Sequence, residues 1–121
     1  MTVRKVLVVD DSPTELHVLS DLLTGQGYEV LTADTGEQGI AAAHDQQPDL
    51  ILMDVVMPGI NGFQATRQLA RDAVTRNIPI IMCTAKNQPS DKVWGLRQGA
   101  LDYLVKPLDR TALLAKIAEL G

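Results

Sequence analysis

Apolar positions in this 121-residue chain fall in short runs, set between longer segments of helical periodicity. The runs are Val6-Leu7-Val8-Val9, Glu29-Val30-Leu31-Thr32, Leu50-Ile51-Leu52-Met53, Ile78-Pro79-Ile80-Ile81-Met82-Cys83 and Tyr103-Leu104-Val105. Three of the five are continuously apolar and rich in Val and Ile, which suits strands covered on both faces, as in a parallel sheet. Between them Leu16, Leu19, Leu22 and Leu23 share one helical face, as do Ile40 with Ala43, and Leu113 and Leu114 with Ile117. Strand and helix alternating five times predict a doubly wound α/β fold, a five-stranded parallel sheet flanked by five helices in a single domain over residues 1–121.

Turn and cap residues support the same boundaries. Ser12-Pro13-Thr14-Glu15 reads as a capping box, with Ser12 at the N-cap, Pro13 at the first helical position and Glu15 reaching back. Gly25 and Gly27 bracket the turn out of the first helix, and Asp109 can cap the last. Gly36 and Gly39 do not make a G-x-G-x-x-G turn, so a dinucleotide site has no support.

Composition narrows the function. Aliphatic residues spread along the whole chain exclude disorder, and a chain of this length buries roughly two-thirds of its unfolded surface without a disulfide or structural metal. No apolar run approaches the roughly 20 residues of a membrane span, so membrane insertion is not expected. The start, Met1 to Asp11, is no signal peptide, and the lone Cys83 fits a reducing, cytoplasmic setting. A net charge of −4 argues against nucleic acid as a partner, and four aromatic residues (Tyr28, Phe63, Trp94, Tyr103) make a poor stacking platform for bases.

In an open parallel sheet, ligands bind beyond the carboxyl ends of the strands. The first run ends in Asp10-Asp11, the third in Asp54, the fourth in Cys83-Thr84 and the fifth in Lys106-Pro107. Loop capping accounts for one such acid, but not for three acids and a lysine each placed directly after an aliphatic run. Clustered carboxylates raise one another's pKa unless a cation is present, and Mg²⁺ is the usual choice where phosphate is also bound. Three Asp and one Lys sum to −2, which Mg²⁺ neutralises. Exchanging one carboxylate for a phosphoryl ester of about −2 leaves the site near −1, so it is balanced to accept one phosphoryl group.

The acidic pair, Asp54 at the end of Leu50-Ile51-Leu52-Met53, Met57-Pro58-Gly59, Thr84-Ala85 and Lys106-Pro107 together resemble the receiver domain of two-component response regulators. The resemblance covers essentially the whole chain and implies the flavodoxin-like strand order 2-1-3-4-5. Finer features, Asp11-Ser12-Pro13-Thr14-Glu15, Asn61-Gly62-Phe63-Gln64-Ala65-Thr66-Arg67-Gln68-Leu69 and Asp91-Lys92-Val93-Trp94-Gly95, resemble the single-domain regulator of type IV pilus chemosensory systems, which governs twitching motility.

The resemblance implies roles position by position. Asp54 would accept the phosphoryl group from a sensor histidine kinase. Asp11 and Asp54 would hold Mg²⁺ directly, Asp10 through water, and the Val56 carbonyl would supply another oxygen. Lys106 would pair with the phosphoryl oxygens, and Thr84 would hydrogen-bond them. Ala85 keeps the approach open, and Pro107 is similar to the family's cis-proline, whose geometry would aim the ammonium inward. When Thr84 swings toward the phosphoryl group, an inward Tyr103 ring would fill the vacated space and reshape the surface of the fourth helix, fifth strand and fifth helix. That surface would engage a downstream protein whose identity is open, with the chain a monomer or a weak phosphorylation-dependent dimer. Val56 and Lys86, two residues after Asp54 and Thr84, would flank the phosphoryl group, and an apolar Val56 implies modest self-dephosphorylation.

Other residues carry less. Trp94 points partly outward if Val93 and Leu96 face the core, as a partner anchor or packed on its own neighbours. Cys83 reads as a small core hydrophobe, and His17 and His44 as solvated surface. Two functions compete: a phosphorylation-controlled binding module without an effector domain, acting on a pilus motor or as a phosphate sink, and a Mg²⁺-dependent aspartyl-phosphate phosphatase or phosphotransferase. The latter usually needs a second acid where Val56 stands, and a cap that no insertion here can build.

Overall fold

The computed structural model describes residues 2–121. Ten elements alternate along the chain: β1 (Lys5–Val9), α1 (Pro13–Gly25), β2 (Glu29–Ala33), α2 (Gly36–Gln46), β3 (Leu50–Met53), α3 (Gly62–Arg71), β4 (Ile80–Thr84), α4 (Pro89–Gln98), β5 (Asp102–Val105) and α5 (Arg110–Leu120). All strand pairs are parallel, in the order β2-β1-β3-β4-β5. The doubly wound fold and its strand order are those expected from the sequence.

The two faces of the sheet follow from side-chain alternation. Val6, Val8, Leu50, Leu52, Ile81 and Cys83 pack under Leu19 and Leu23 of α1 and Leu113 and Ile117 of α5. Leu7, Val9, Ile51, Met53, Ile80, Met82 and Tyr103 face the opposite side, with Ala43 of α2 and Phe63 and Leu69 of α3. Full burial of each such aliphatic side chain contributes roughly 1.5–3 kcal/mol, which is why β1, β3 and β4 tolerate almost no polar residue. The edge strands β2 and β5 are interrupted by partly exposed positions.

Three local expectations are corrected. β4 starts at Ile80 and not at Ile78, because Pro79 has no N–H for a ladder; its carbonyl instead accepts from Ile51 N–H at 3.0 Å. Ser12 caps α1 by accepting from Glu15 N–H at 3.3 Å, but the reciprocal bond from the Ser12 N–H to the Glu15 carboxylate is not made among the described residues. The Ser12 N–H donates to Asp10 Oδ1 at 2.9 Å instead, so the cap belongs to the acidic site. Finally, Val93 and Leu96 do not face the core: they are 51% and 41% exposed beside Trp94 at 48%, and Gly95 is the buried residue of α4.

Candidate functional site

The carboxyl ends of β1, β3, β4 and β5 meet along one edge, as the parallel topology requires. Asp10 and Asp11 follow β1, and Asp54 follows β3, whose N–H donates to the Val9 carbonyl at 2.9 Å. One oxygen from each of Asp10, Asp11 and Asp54 lies within 4.8 Å of the others, with Asp10 and Asp54 buried and Asp11 exposed. Lys106, just past β5, places its Nζ 2.6 Å from Asp10 Oδ2 and 3.8 Å from Asp54 Oδ2.

Both Asp10 oxygens are thereby engaged, one by Lys106 and one by the Ser12 N–H. Asp54 Oδ1 accepts from the Val55 N–H at 2.8 Å. Burial and the neighbouring Asp10 charge push the Asp54 carboxyl above its ordinary value, against the pull of Lys106, the Val55 N–H and the Thr84 hydroxyl. Burial pulls the Lys106 ammonium down, but its bond to Asp10 and the Asp54 charge outweigh that and raise it. The site thus sets a buried carboxyl raised above its ordinary value, Asp54, beside a lysine ammonium that Asp10 holds by a hydrogen bond.

The donor set fits a small hard cation. Three carboxylates offer oxygens close enough to share one ion, and the electrostatic cost at Asp54 is of the kind such an ion relieves.

Around this centre lie the other anticipated residues. Thr84 is fully buried, and its Oγ1 accepts from the Lys86 N–H at 3.3 Å. Ala85 is exposed at the mouth, the Lys106–Pro107 peptide is cis, and Val56 is 61% exposed. Lys86 directs its ammonium to Asp91 at 3.8 Å and not to Asp54. Tyr103 is buried and its hydroxyl donates to the Lys86 carbonyl at 2.8 Å. Burial pushes the Tyr103 phenol up to about 12, aided by the charges of Asp91 and Asp54. Trp94 is exposed on α4. Burial likewise pushes the Cys83 thiol up to about 12, so it is a core group and no nucleophile.

Two further contributors stand in the sequence reading only inside longer motifs, with no site role of their own. Gly62 brings the start of α3 onto the backbone behind Asp54: a Cβ there would lie 2.0 Å from the Asp54 carbonyl oxygen, and the Gly62 N–H donates to the Val55 carbonyl at 2.8 Å. The signal was the Asn61-Gly62 step, where Asn61 caps α3 with a full capping box. Asp91, quoted only within the fourth-helix motif, has no role of its own there because it reads as an ordinary first-turn acid of a short helix.

Three acids and a lysine thus meet at the carboxyl edge of a doubly wound α/β domain with strand order 2-1-3-4-5. Residues 6–118 match the family described as response regulator receiver domain, and the chain belongs to that family. It is 56% identical over 113 residues to Protein PilH of Pseudomonas aeruginosa, covering 93% of each chain. It is also 42% identical over 116 residues to Response regulator PleD of Caulobacter vibrioides, of which it spans 26%. Among solved structures, chemotaxis protein CheY4 of Vibrio cholerae superposes with a TM-score of 0.91 at 34% identity, covering 99% of this chain and 100% of that one. The receiver domain of a sensor histidine kinase from Pseudomonas aeruginosa PAO1, with magnesium coordinated in its active-site cleft, superposes with a TM-score of 0.89 at 33% identity, covering 98% of each.

Proposed function

We propose that this receiver domain accepts a phosphoryl group on Asp54 from a sensor histidine kinase and passes the signal on through α4, β5 and α5. The observation that carries the reading is Asp54 itself: a buried carboxylate raised above its ordinary pKa, with the Lys106 ammonium 3.8 Å away. An Asp54 oxygen attacks the phosphorus of phosphohistidine; the P–O bond forms as the P–N bond breaks, and the departing imidazole takes a proton. Lys106 balances charge on the incoming oxygens, and the Thr84 hydroxyl donates to them. Asp10, Asp11, Asp54 and the Val56 carbonyl would hold Mg²⁺, which supplies charge neutralisation at the phosphoryl oxygens. The magnesium in the cleft of the kinase receiver domain of Pseudomonas aeruginosa supports this reading of the triad.

The output face is apolar where it is exposed. Val93, Trp94, Leu96, Leu101 and Val105 are each at least 41% accessible, a concentration that suits a protein target. The motifs shared with type IV pilus chemosensory regulators, and 56% identity to PilH, support a place in a phosphorelay that controls twitching, as effector or phosphate sink. No described helix is long and apolar enough to cross a membrane. The small-molecule phosphatase reading gains nothing from the structure, since the position two after Asp54 is the apolar, exposed Val56.

Incubation with a small phosphodonor and Mg²⁺, followed by intact mass and peptide mapping, tests the acceptor. A single adduct on Asp54, lost on chelation and in Asp54→Asn, is expected; an undiminished adduct in Asp54→Asn removes the assignment. Val56 cannot position an attacking water as an amide can, so Val56→Asn shortens the phosphoryl lifetime, measured by decay of that adduct. An unchanged or longer lifetime contradicts this role.

A further inference from the structure

The buried residue through which α4 meets the body of the protein has no side chain. Glycine inside a helix costs stability relative to alanine, so its presence at such a place has a packing cause. At Gly95 the cause is visible. A Cβ there would lie 2.9 Å from Met82 Sδ, 3.0 Å from Tyr103 Cδ2 and 3.3 Å from Tyr103 Cε2. Met82 and Tyr103 are both buried, so neither has open space to retreat into.

The ring is also held at its tip. Its hydroxyl donates to the Lys86 carbonyl at 2.8 Å, and the Lys86 N–H donates to Thr84 Oγ1 at 3.3 Å. The Lys86 ammonium faces Asp91 at 3.8 Å, and Asp91 accepts from the Gln88 N–H at 3.2 Å at the start of α4. One loop therefore ties the acceptor-side hydroxyl, the phenol and the first turn of α4 together, while Gly95 supplies the floor on which the ring rests.

We propose that Gly95 is a positioning residue for the switch: its missing side chain is the seat of the inward Tyr103 ring, so the ring and α4 move as one coupled unit. The proposal rests on the reading of Tyr103 as part of the switch. A side chain in the seat displaces either the ring or α4, and α4 carries the exposed Val93, Trp94 and Leu96.

The test uses Gly95→Ala, Tyr103→Ala and the double variant. Gly95→Ala lowers the melting temperature of the Tyr103 protein by clearly more than that of the Tyr103→Ala protein, where the ring is gone and the space it vacates lets the Met82 side chain give way. Equal shifts in both backgrounds overturn the seat. As a second readout, the protein is labelled with 3-fluorotyrosine in a Tyr28→Phe background, which leaves Tyr103 as the single phenol. Gly95→Ala shifts its fluorine resonance toward that of a solvent-exposed ring; an unmoved resonance overturns the proposal. Neither measurement needs a phosphoryl group. Trp94 emission on addition of Mg²⁺ and beryllofluoride judges the switch separately. If the seat readouts move while Tyr103→Ala leaves the Trp94 response intact, the seat stands and the switch role of Tyr103 falls.

Discussion

Replacing Lys106 with methionine removes the charge that holds the acidic site together while keeping an apolar stem of similar length. Its ammonium lies 2.6 Å from Asp10 and 3.8 Å from Asp54, two carboxylates whose side chains are 3% and 9% exposed. At an effective dielectric of about 20, these contacts amount to roughly 6 and 4 kcal/mol of gross attraction. Desolvation of the ammonium offsets much of that, and removing one partner of such a buried pair costs about 3–5 kcal/mol in net stability. The folded pKa of Lys106 is raised above 10.5, so its contribution is fully present below that value and is lost only as the pH rises through the folded pKa. Urea denaturation at pH 7 in EDTA therefore reports the whole effect. Lys106→Met loses about 3 kcal/mol or more there, and the deficit shrinks as the pH falls and the stranded carboxylates take up protons. Adding Asp10→Asn restores part of the loss by removing one of the two repelling charges. A loss below about 1 kcal/mol at pH 7, or a deficit that grows toward acid, refutes the account of Lys106 as the counter-charge of a buried pair.

Other outcomes follow from single residues. Asp54 has a raised pKa in the folded state, so stability is lost as the pH rises from the ordinary carboxylate value of 3.8 and the loss is complete above the folded value; Asp54→Asn melts higher than wild type at pH 7 in EDTA. The two proteins converge as the pH falls toward the ordinary carboxylate value of 3.8, and Mg²⁺ stabilises wild type more than the variant; a melting temperature for Asp54→Asn below wild type in EDTA contradicts this. The Thr66 hydroxyl is fully buried without a partner among the described residues, so Thr66→Val stabilises by about 1 kcal/mol, read as a melting shift of about 4 °C. Gly62→Ala drives a methyl into the Asp54 carbonyl and costs about 3 kcal/mol or more in urea denaturation, whereas Gly25→Ala, with open space around it, costs little.

Much of this molecule was legible in the chain because the signals were local. Val6–Val9 and Leu50–Met53 announce buried strands by composition alone, and Asp10, Asp11, Asp54, Thr84 and Lys106 stand at strand ends where any parallel sheet gathers them. Their resemblance to the receiver family added the strand order and the expected roles. Less legible was α4, because a short helix with Val93, Trp94 and Leu96 reads as amphipathic until the structure buries Gly95 and leaves all three exposed. Hydrophobic residues on a helix report a face in need of cover, and they do not say whether the protein's own core or another protein covers it.

What the sequence by itself determined is the alternation of elements, the covered sheet and the set of charged groups at its edge, because periodicity and strand-end position act over a few residues. Tertiary structure decided which of those groups touch. Lys106 sits nearer to Asp10 than to Asp54, and Ser12 caps a helix while serving an acid. Gly62 and Gly95 mark the two places where a helix backbone lies directly against the site and against Tyr103. Lys106 and Asp10 are 96 positions apart, and their meeting depends on every crossover between β1 and β5. No local pattern encodes a distance of a few ångströms across that span; it is set by packing of the whole sheet and its helices.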